Sequence, residues 1–60
     1  MAWIVCDKDG SLYIYKEKPK RNKKFGWWYL ENGHRFPINS RSTLLFIGFE
    51  LTWEHEPVEI

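Results

Sequence analysis

The stretch that dominates this 60-residue chain is Phe25-Gly-Trp-Trp-Tyr-Leu-Glu-Asn-Gly-His-Arg-Phe-Pro-Ile38. Aromatic and branched residues flank an Asn-Gly pair, which is the strongest short-range signal for a β-hairpin. A two-residue turn at Asn32-Gly33 would place Tyr29 opposite Phe36 and Leu30 opposite Arg35. We therefore predict a central hairpin over this stretch.

The two faces of this predicted hairpin differ in character. Successive side chains of a strand point to opposite faces of the sheet. One face is apolar and suits a core, and it carries Trp27, Tyr29, Phe36 and Ile38. The other mixes aromatic and cationic groups, and it carries Trp28, Leu30, Arg35 and Pro37. The mixed face is the first candidate for a binding surface.

A second hairpin is predicted at the start of the chain. Residues 2–6 and 11–16 have strand character and are separated by a turn that contains Gly10. A three-residue loop with a bulge pairs Cys6 with Leu12 and Trp3 with Tyr15. The predicted core face carries Ile4, Cys6, Leu12 and Ile14, and the opposite face carries Trp3, Val5, Tyr13 and Tyr15.

Residues 17–24 are predicted to form a loop. Pro19 cannot donate a hydrogen bond to a sheet ladder, and Asn22 favours a turn. At about eight residues, this loop is long for so small a domain, and long loops in compact domains tend to be functional or mobile.

The C-terminal third is predicted to begin with a short helix. Asn39 is a suitable N-cap, the helix extends to about Ile47, and Gly48 stands where a helix stop is expected. The predicted inward stripe is Leu44, Leu45 and Ile47. Residues 49–54 alternate apolar and polar side chains, which predicts a strand with Phe49, Leu51 and Trp53 inward. Residues 56–60 are predicted to be an edge strand or a tail that adds to a neighbouring subunit.

These elements predict one mainly-β domain over residues 1–60. The expected architecture is a five-stranded SH3-like or OB-like small barrel with one short helix before the last strand. A chain this short buries only about 60% of its unfolded surface, so small domains usually need an additional stabiliser. The single cysteine, Cys6, allows no internal disulfide, and we expect it to be a small buried hydrophobe in a reducing compartment. A homo-oligomer is therefore favoured.

Charge is segregated along the chain although the net charge is only +1. Residues 16–24 hold six basic residues and one acidic residue, whereas residues 42–60 hold four glutamates and no lysine or arginine. Either both segments are simply solvated or they pair across a subunit contact. Alternatively, the basic segment attracts a phosphate-bearing ligand or an acidic protein. No signal peptide or long apolar run is evident, so we expect a cytoplasmic protein without membrane contact.

Catalytic and metal motifs do not stand out in the sequence. His34 and His55 show no spacing typical of a metal site, and no serine is placed to form a triad with either histidine. The glutamates after residue 49 fit the solvent-facing side of a strand. We therefore expect a protein that is not an enzyme and that has no metal and no cofactor.

Aromatic residues are the most specific feature of the composition. Four Trp, three Tyr and four Phe exceed what one small core requires. A bent barrel or a subunit interface would cover the surplus rings. The functional alternative is a stacking platform, on which each base contributes about 1–3 kcal/mol while nearby cations hold phosphates. The candidate ligand-binding residues are Trp3, Tyr13, Tyr15, Lys24, Trp28, Arg35 and Arg41.

The chain resembles very short phage- and prophage-encoded β-rich proteins. Those proteins begin with a Trp-Ile-x-x-Asp-Lys-Asp-Gly hairpin and end in Leu-Thr-Trp-Glu-x-Glu-Pro-Val-Glu-hydrophobic, as residues 3–10 and 51–60 do here. The resemblance implies an anti-defence role. Some small phage proteins of this kind are oligomeric sponges for nucleotide immune signals such as cyclic ADP-ribose derivatives. The shared motifs look structural, so the resemblance assigns no binding residue.

The function expected from these observations is non-enzymatic sequestration. A homo-oligomeric phage anti-defence protein would hold an ADP-ribose-type or cyclic-nucleotide immune signal in a pocket between subunits. One alternative is a module for single-stranded nucleic acid, although the nearly neutral charge argues against it. The other is an inhibitor that binds a host enzyme through its aromatic face or its tail.

Overall fold

The computed structural model describes residues 2–31 and 33–60. Its elements, in chain order, are β1 (Trp3–Cys6), β2 (Leu12–Tyr15), β3 (Lys20–Asn22), β4 (Trp27–Tyr29), β5 (Arg35–Ile38), α1 (Ser40–Ile47) and β6 (Val58–Glu59). The strands form a four-stranded sheet in the order β5-β2-β1-β6 and a two-stranded sheet of β3 and β4. The mainly-β class and the helix before the last strand are confirmed. Six strands are present instead of five, and over the described ranges the strands close no barrel.

The β1–β2 hairpin has the predicted register. Trp3 pairs with Tyr15, and Cys6 pairs with Leu12. The turn between them is closed by the Gly10 N–H, which donates to the Asp7 carbonyl oxygen at 2.9 Å. Gly10 adopts a φ of 92°, which a residue with a side chain rarely adopts. Alternation and turn chemistry agree here, so local sequence determines the pairing.

The predicted central hairpin is wrong. Strand β4 pairs with β3, whereas β5 pairs with β2 and extends the larger sheet. Asn32, half of the predicted turn pair, lies outside the described residues. The physical reason is burial: the Trp28 side chain packs on Val5 and Tyr15 across one face of the larger sheet. This contact holds β4 over that face, while β5 continues the sheet at its edge, where Pro37 is tolerated.

The loop prediction for residues 17–24 is wrong at Lys20–Asn22, which form β3. Charged and amide residues are poor strand formers, so the sequence gives little sign of this strand. The predicted turn at Asn22 is present, because its side-chain oxygen accepts the N–H groups of Lys24 and Phe25, both at 3.1 Å. The Gly26 carbonyl then accepts the Lys8 N–H at 2.9 Å and ties the two hairpin turns together.

The larger sheet has an apolar cluster on each face. Cluster one is mainly aliphatic and includes α1 and the segment after it; its members are Ile4, Cys6, Leu12 and Leu51, with Ile14, Ile38, Ile47 and Val58 packed around them. Cluster two is mainly aromatic and lies under β4; its members are Val5, Tyr15 and Trp28, with Tyr13, Leu30 and Trp53 around them. Cys6 is buried, as predicted. The predicted second face of β1 and β2 is therefore also a core.

Helix α1 spans the predicted residues, but the predicted inward stripe is partly wrong. Thr43 and Ile47 turn toward the sheet, and the Thr43 hydroxyl donates to the Asn39 carbonyl oxygen at 3.1 Å. Leu44 and Leu45 are exposed, Leu45 by 86%. Across the described ranges, no helix is long and apolar enough to cross a bilayer.

The strand predicted over residues 49–54 is absent. Leu51 enters cluster one and Trp53 joins cluster two, so this segment crosses from one face of the sheet to the other. It also has no free edge to join on β1, because β6 pairs there in an antiparallel manner. The last residues therefore complete the chain's own sheet, and the Ile60 N–H donates to the Ala2 carbonyl oxygen at 2.8 Å.

Candidate functional site

Two clefts lie on either side of the segment that links β4 to β5. Leu30, Gly33 and Tyr29 line both clefts. The Gly33 N–H donates to the Leu30 carbonyl oxygen at 3.3 Å. A Cβ atom at Gly33 would overlap the Leu30 side chain, so the close packing of this turn requires glycine. The segment therefore forms a shared wall between the two clefts.

The first cleft, which we name the arginine cleft, has a volume of about 430 Å³. It is lined by Asp7, Asp9, Tyr13, Tyr15, Trp27, Trp28, Tyr29, Leu30, Gly33 and Arg35. Other side chains of the same chain already cover much of the surface of its aromatic rings. The Arg35 guanidinium lies 4.1 Å from the centre of the Tyr13 ring, and Tyr15 and Trp28 are buried in cluster two.

The electrostatics of the arginine cleft disfavour a phosphate. Its cation, Arg35, is engaged with Tyr13 and Tyr15, and a hydrogen bond with the Tyr15 side chain raises the pKa of Arg35. Two carboxylates, Asp7 and Asp9, share the cleft with it. Burial raises the pKa of Asp7, and the Trp28 N–H and Arg35 oppose that shift. A phosphate would enter a space that already holds two acidic side chains and one cationic side chain.

The second cleft, which we name the lysine cleft, is larger, with a volume of about 590 Å³. It is lined by Lys16, Glu17, Lys20, Tyr29, Leu30, Glu31, Gly33, His34 and Phe36. The rings of Tyr29 and Phe36 are exposed, that of Phe36 by 65%. Among the described residues, neither Lys16 nor Lys20 has an acidic partner within ion-pairing distance. Accessible rings and available ammonium groups therefore occur together here.

Four elements bring these side chains together. Lys16 follows β2, and Phe36 on the neighbouring strand β5 pairs with Ile14. Lys20 on β3 and Tyr29 on β4 are direct cross-strand partners. The lysine cleft thus lies where the end of β2 and the start of β5 meet the two-stranded sheet. Two glutamates line it as well, so the formal charges of its lysines and glutamates balance.

The structure separates the predicted ligand-binding residues into two groups. Tyr13, Tyr15, Trp28 and Arg35 meet at the arginine cleft, whereas Trp3, Lys24 and Arg41 line neither cleft. Tyr15 and Trp28 are buried in the chain's own core, so their ring faces cannot stack on a ligand. This overturns the premise that pleat alternation leaves those rings without an interior.

The other predicted residues lie on separate surfaces. The Trp3 ring is half-buried, and the Lys18 ammonium lies 5.5 Å from its centre. Lys24 lies beside Phe25, with its ammonium 5.6 Å from that ring centre. Arg41 is exposed on α1. These three residues lie outside both the arginine cleft and the lysine cleft.

Sequence reasoning missed the residues of the lysine cleft as binding candidates. Lys16 and Lys20 were grouped with a general basic segment, and Tyr29 and Phe36 were assigned to the core. The missing signal was the pairing of β3 with β4, which places Lys20 opposite Tyr29. That pairing distinguishes Lys20 from the other lysines of the segment.

Asp7 provides a test of how the arginine cleft is built. Its Oδ1 atom accepts the Trp28 N–H at 3.0 Å. Asp7→Asn keeps an acceptor and removes the buried charge, whereas Asp7→Ala leaves a buried N–H without a partner at a cost of about 1–3 kcal/mol. Because burial raises the Asp7 pKa above its ordinary 3.8, the ionised form is disfavoured in the folded chain. The stability that Asp7 contributes should fall as pH rises above about 4 through the raised pKa.

Urea unfolding between pH 3.5 and pH 7 measures this effect. The free energy of unfolding of Asp7→Asn should increase relative to the parent chain as pH rises. Asp9→Asn is the matched control, because the Ser11 N–H at 2.9 Å lowers the pKa of the exposed Asp9 carboxyl. Asp9→Asn should therefore lose stability relative to the parent chain as pH rises. Equal pH trends for the two variants would contradict the assignment.

Comparison with known proteins identifies no family for this chain. Within the described ranges, no group of three or more His, Cys, Asp or Glu residues is placed to hold a metal ion. The chain matches no protein-family model, no curated protein and no solved structure. The functional argument therefore depends on the two clefts and on the exposed surfaces.

Proposed function

We propose that the protein binds a phosphate-bearing ligand with an aromatic ring in the lysine cleft and holds it without chemical conversion. The class of ligand is a nucleotide-derived signal of the ADP-ribose or cyclic-nucleotide type. Sequestering such an immune signal in the host cytoplasm would make the chain a phage anti-defence protein. The ligand site lies within one chain, instead of in a pocket between subunits.

One observation carries this proposal: two ammonium groups and two exposed aromatic rings line the same cavity. The cavity volume of about 590 Å³ lies within the range of about 300–1,000 Å³ typical of small-molecule sites. Stacking of a base on Tyr29 or Phe36 contributes about 1–3 kcal/mol. Lys16 and Lys20 act as point charges for phosphate oxygens, a role that suits lysine. Ring and cation each recognise one half of a nucleotide.

Isothermal titration calorimetry with a panel of ligands tests the proposal. The panel is AMP, cyclic AMP and ADP-ribose, with adenosine and ribose 5-phosphate as partial ligands. At least one complete nucleotide should bind, and each partial ligand should bind at least tenfold more weakly, because it lacks either the phosphate or the base. Chromatography of the ligand after the titration should recover it unchanged. No heat with any complete nucleotide would contradict the proposal, and recovery of a converted ligand would indicate an enzyme.

The lysine pair should account for a large part of the affinity. Lys16→Gln/Lys20→Gln should weaken binding of the preferred nucleotide at least tenfold, about 1.4 kcal/mol, by removing both ammonium groups from the cleft. Phe36→Ala should weaken it by a similar factor with little effect on stability, because the ring is exposed. Dissociation constants from the same calorimetric titration provide the measurement.

The matched control is Lys8→Gln/Lys18→Gln. It removes the same formal charge from exposed positions that do not line the lysine cleft, so affinity should change less than twofold. Equal losses in the two double variants would show attraction by overall charge instead of a site. That result, with affinity for oligonucleotides that falls steeply with salt, would favour the single-stranded nucleic-acid alternative.

A further inference from the structure

A basic aromatic patch lies at the β3–β4 turn, and we define it as Lys24, Phe25 and Trp27. The two rings stack on each other with centres 5.1 Å apart and planes 11° apart. Both rings remain exposed, Phe25 by 59% and Trp27 by 45%. The Lys24 ammonium lies close to the Phe25 ring, and Lys23 precedes it in the chain. The turn thus presents a flat apolar surface bordered by positive charge.

An acidic apolar patch lies on α1 and the residues after it. Its apolar members are Leu44, Leu45, Phe46 and Phe49, all exposed. Exposed Glu50 and Glu54 follow, and the Phe49 ring lies 5.2 Å from that of His55, next to Glu54. No lysine or arginine occurs from residue 42 to residue 60. This patch is therefore apolar, and its charged border is net negative, with exposed Glu50 and Glu54 after the helix and Arg41 near its start.

The two patches lie on opposite sides of the larger sheet. Helix α1 covers cluster one, through Ile47, whereas β4 covers cluster two, through Trp28. The two patches of a single chain therefore cannot contact each other. Two copies joined through their α1 patches would bring two net-negative borders together, which is unfavourable. Charge complementarity favours contact between unlike patches.

We propose that the protein self-associates head to tail, with the basic aromatic patch of one copy seated on the acidic apolar patch of the next. The stacked rings of Phe25 and Trp27 lie against the exposed leucines and phenylalanines of α1, and lysines face glutamates at the border. A linear chain of copies leaves one basic aromatic patch unused at one end and one acidic apolar patch unused at the other. Such a contact closes into a ring or extends into a filament, and it cannot stop at a symmetric dimer.

Mixing two single-patch variants tests this arrangement. Lys24→Gln/Phe25→Gln disables the basic aromatic patch, and Leu45→Gln/Phe46→Gln disables the acidic apolar patch; all four side chains are exposed. In sedimentation equilibrium, the parent chain should exceed the 7.3 kDa monomer, and each variant alone should remain a monomer. An equimolar mixture should form a 1:1 dimer, because each variant retains the patch that the other lacks.

Three results would overturn the proposal. They are a parent chain that is monomeric at millimolar concentration, a mixture that stays monomeric, and assembly of Lys24→Gln/Phe25→Gln on its own. The last result would show a symmetric contact through α1. Circular dichroism checks that each variant is folded. If Leu45→Gln/Phe46→Gln is destabilised, the single change Leu45→Gln replaces it. None of these residues lines the lysine cleft, so nucleotide titrations of the variants separate failure of self-association from failure of the proposed ligand site.

Discussion

Replacing Trp28 with alanine should remove a large part of the chain's free energy of unfolding. The side chain is only 3% exposed and packs with Val5 and Tyr15 in cluster two. Its indole N–H donates to the Cys6 carbonyl oxygen at 2.9 Å, and the Trp28 carbonyl oxygen accepts the Tyr15 hydroxyl at 3.0 Å. Loss of a buried tryptophan costs about 3–5 kcal/mol. At about 0.05–0.15 kcal/mol per residue, the whole chain has only about 3–9 kcal/mol of stability.

The neighbouring Trp27 is the matched control. It has the same side chain one position earlier, but it is 45% exposed and stacks on Phe25 at the surface. Trp27→Ala should cost less than about 1 kcal/mol. Trp28→Phe should fall between the two, because it keeps a ring and leaves the Cys6 carbonyl without its donor, at about 1–3 kcal/mol. Urea unfolding followed by circular dichroism gives all three values; equal losses for the two alanine variants would refute the two-cluster core.

Arg21→Lys should destabilise the chain by about 2 kcal/mol although it preserves the charge, because stacking and charged hydrogen bonds are lost. The Arg21 guanidinium lies 4.5 Å from the centre of the Trp28 ring and 5.0 Å from that of Trp53. One terminal nitrogen donates to the carbonyl oxygens of Trp53 and His55 at 3.0 Å and 2.9 Å. These contacts attach the segment before β6 to β3. A lysine ammonium cannot reproduce both the planar stacking and the hydrogen-bond geometry.

The ion pair of Arg21 should matter much less than its stacking. The Glu56 carboxylate lies 3.3 Å from Arg21, but its side chain is 80% exposed, and exposed pairs contribute about 0–1 kcal/mol. Glu56→Gln is therefore the control and should cost less than about 0.5 kcal/mol. In Arg21→Lys, the amides of residues 58–60 should also exchange hydrogen faster than in the parent chain. If Glu56→Gln loses as much stability as Arg21→Lys, the ion pair and not the stacking would be the main stabilising contact of Arg21.

The parts of the fold that sequence predicted are those decided locally. The β1–β2 register follows from alternation and from Gly10 in the turn, and the bounds of α1 follow from Asn39 and Gly48. In both cases, neighbouring residues contain all the information that the pairing or the helix needs. The mainly-β class follows from these elements and from the aromatic stretch around residue 28.

The parts that sequence missed depend on contacts between distant residues. The Asn-Gly signal favoured a hairpin of β4 and β5, but burial of Trp28 on Val5 and Tyr15 placed those strands in different sheets. Strand β3 has a Lys-Arg-Asn sequence, and its pairing is supported by the contacts of Arg21 with two tryptophan rings. The packing of Trp28 on Val5 and the contact of Arg21 with Trp53 both join residues that are far apart in the chain.

The candidate site also has a part that local sequence predicted and a part that it did not. Alternation correctly grouped Tyr13 and Tyr15 on one face of β2, and the structure brings both to the arginine cleft. It could not show that β4 covers this face and buries Tyr15 and Trp28. The lysine cleft draws on four elements, so its residues become neighbours only when β2, β3, β4 and β5 have assembled.

The most direct test of the central claim is a nuclear magnetic resonance titration of the ¹⁵N-labelled chain with ADP-ribose. The lysine-cleft account predicts saturable amide shifts that cluster at Lys16, Lys20, Tyr29–Glu31 and Gly33–Phe36. The amides of the turn at 24–27 and of α1 should shift much less. No saturable shifts at millimolar ADP-ribose, AMP or cyclic AMP, or shifts centred on those two surfaces, would contradict a nucleotide site in the lysine cleft.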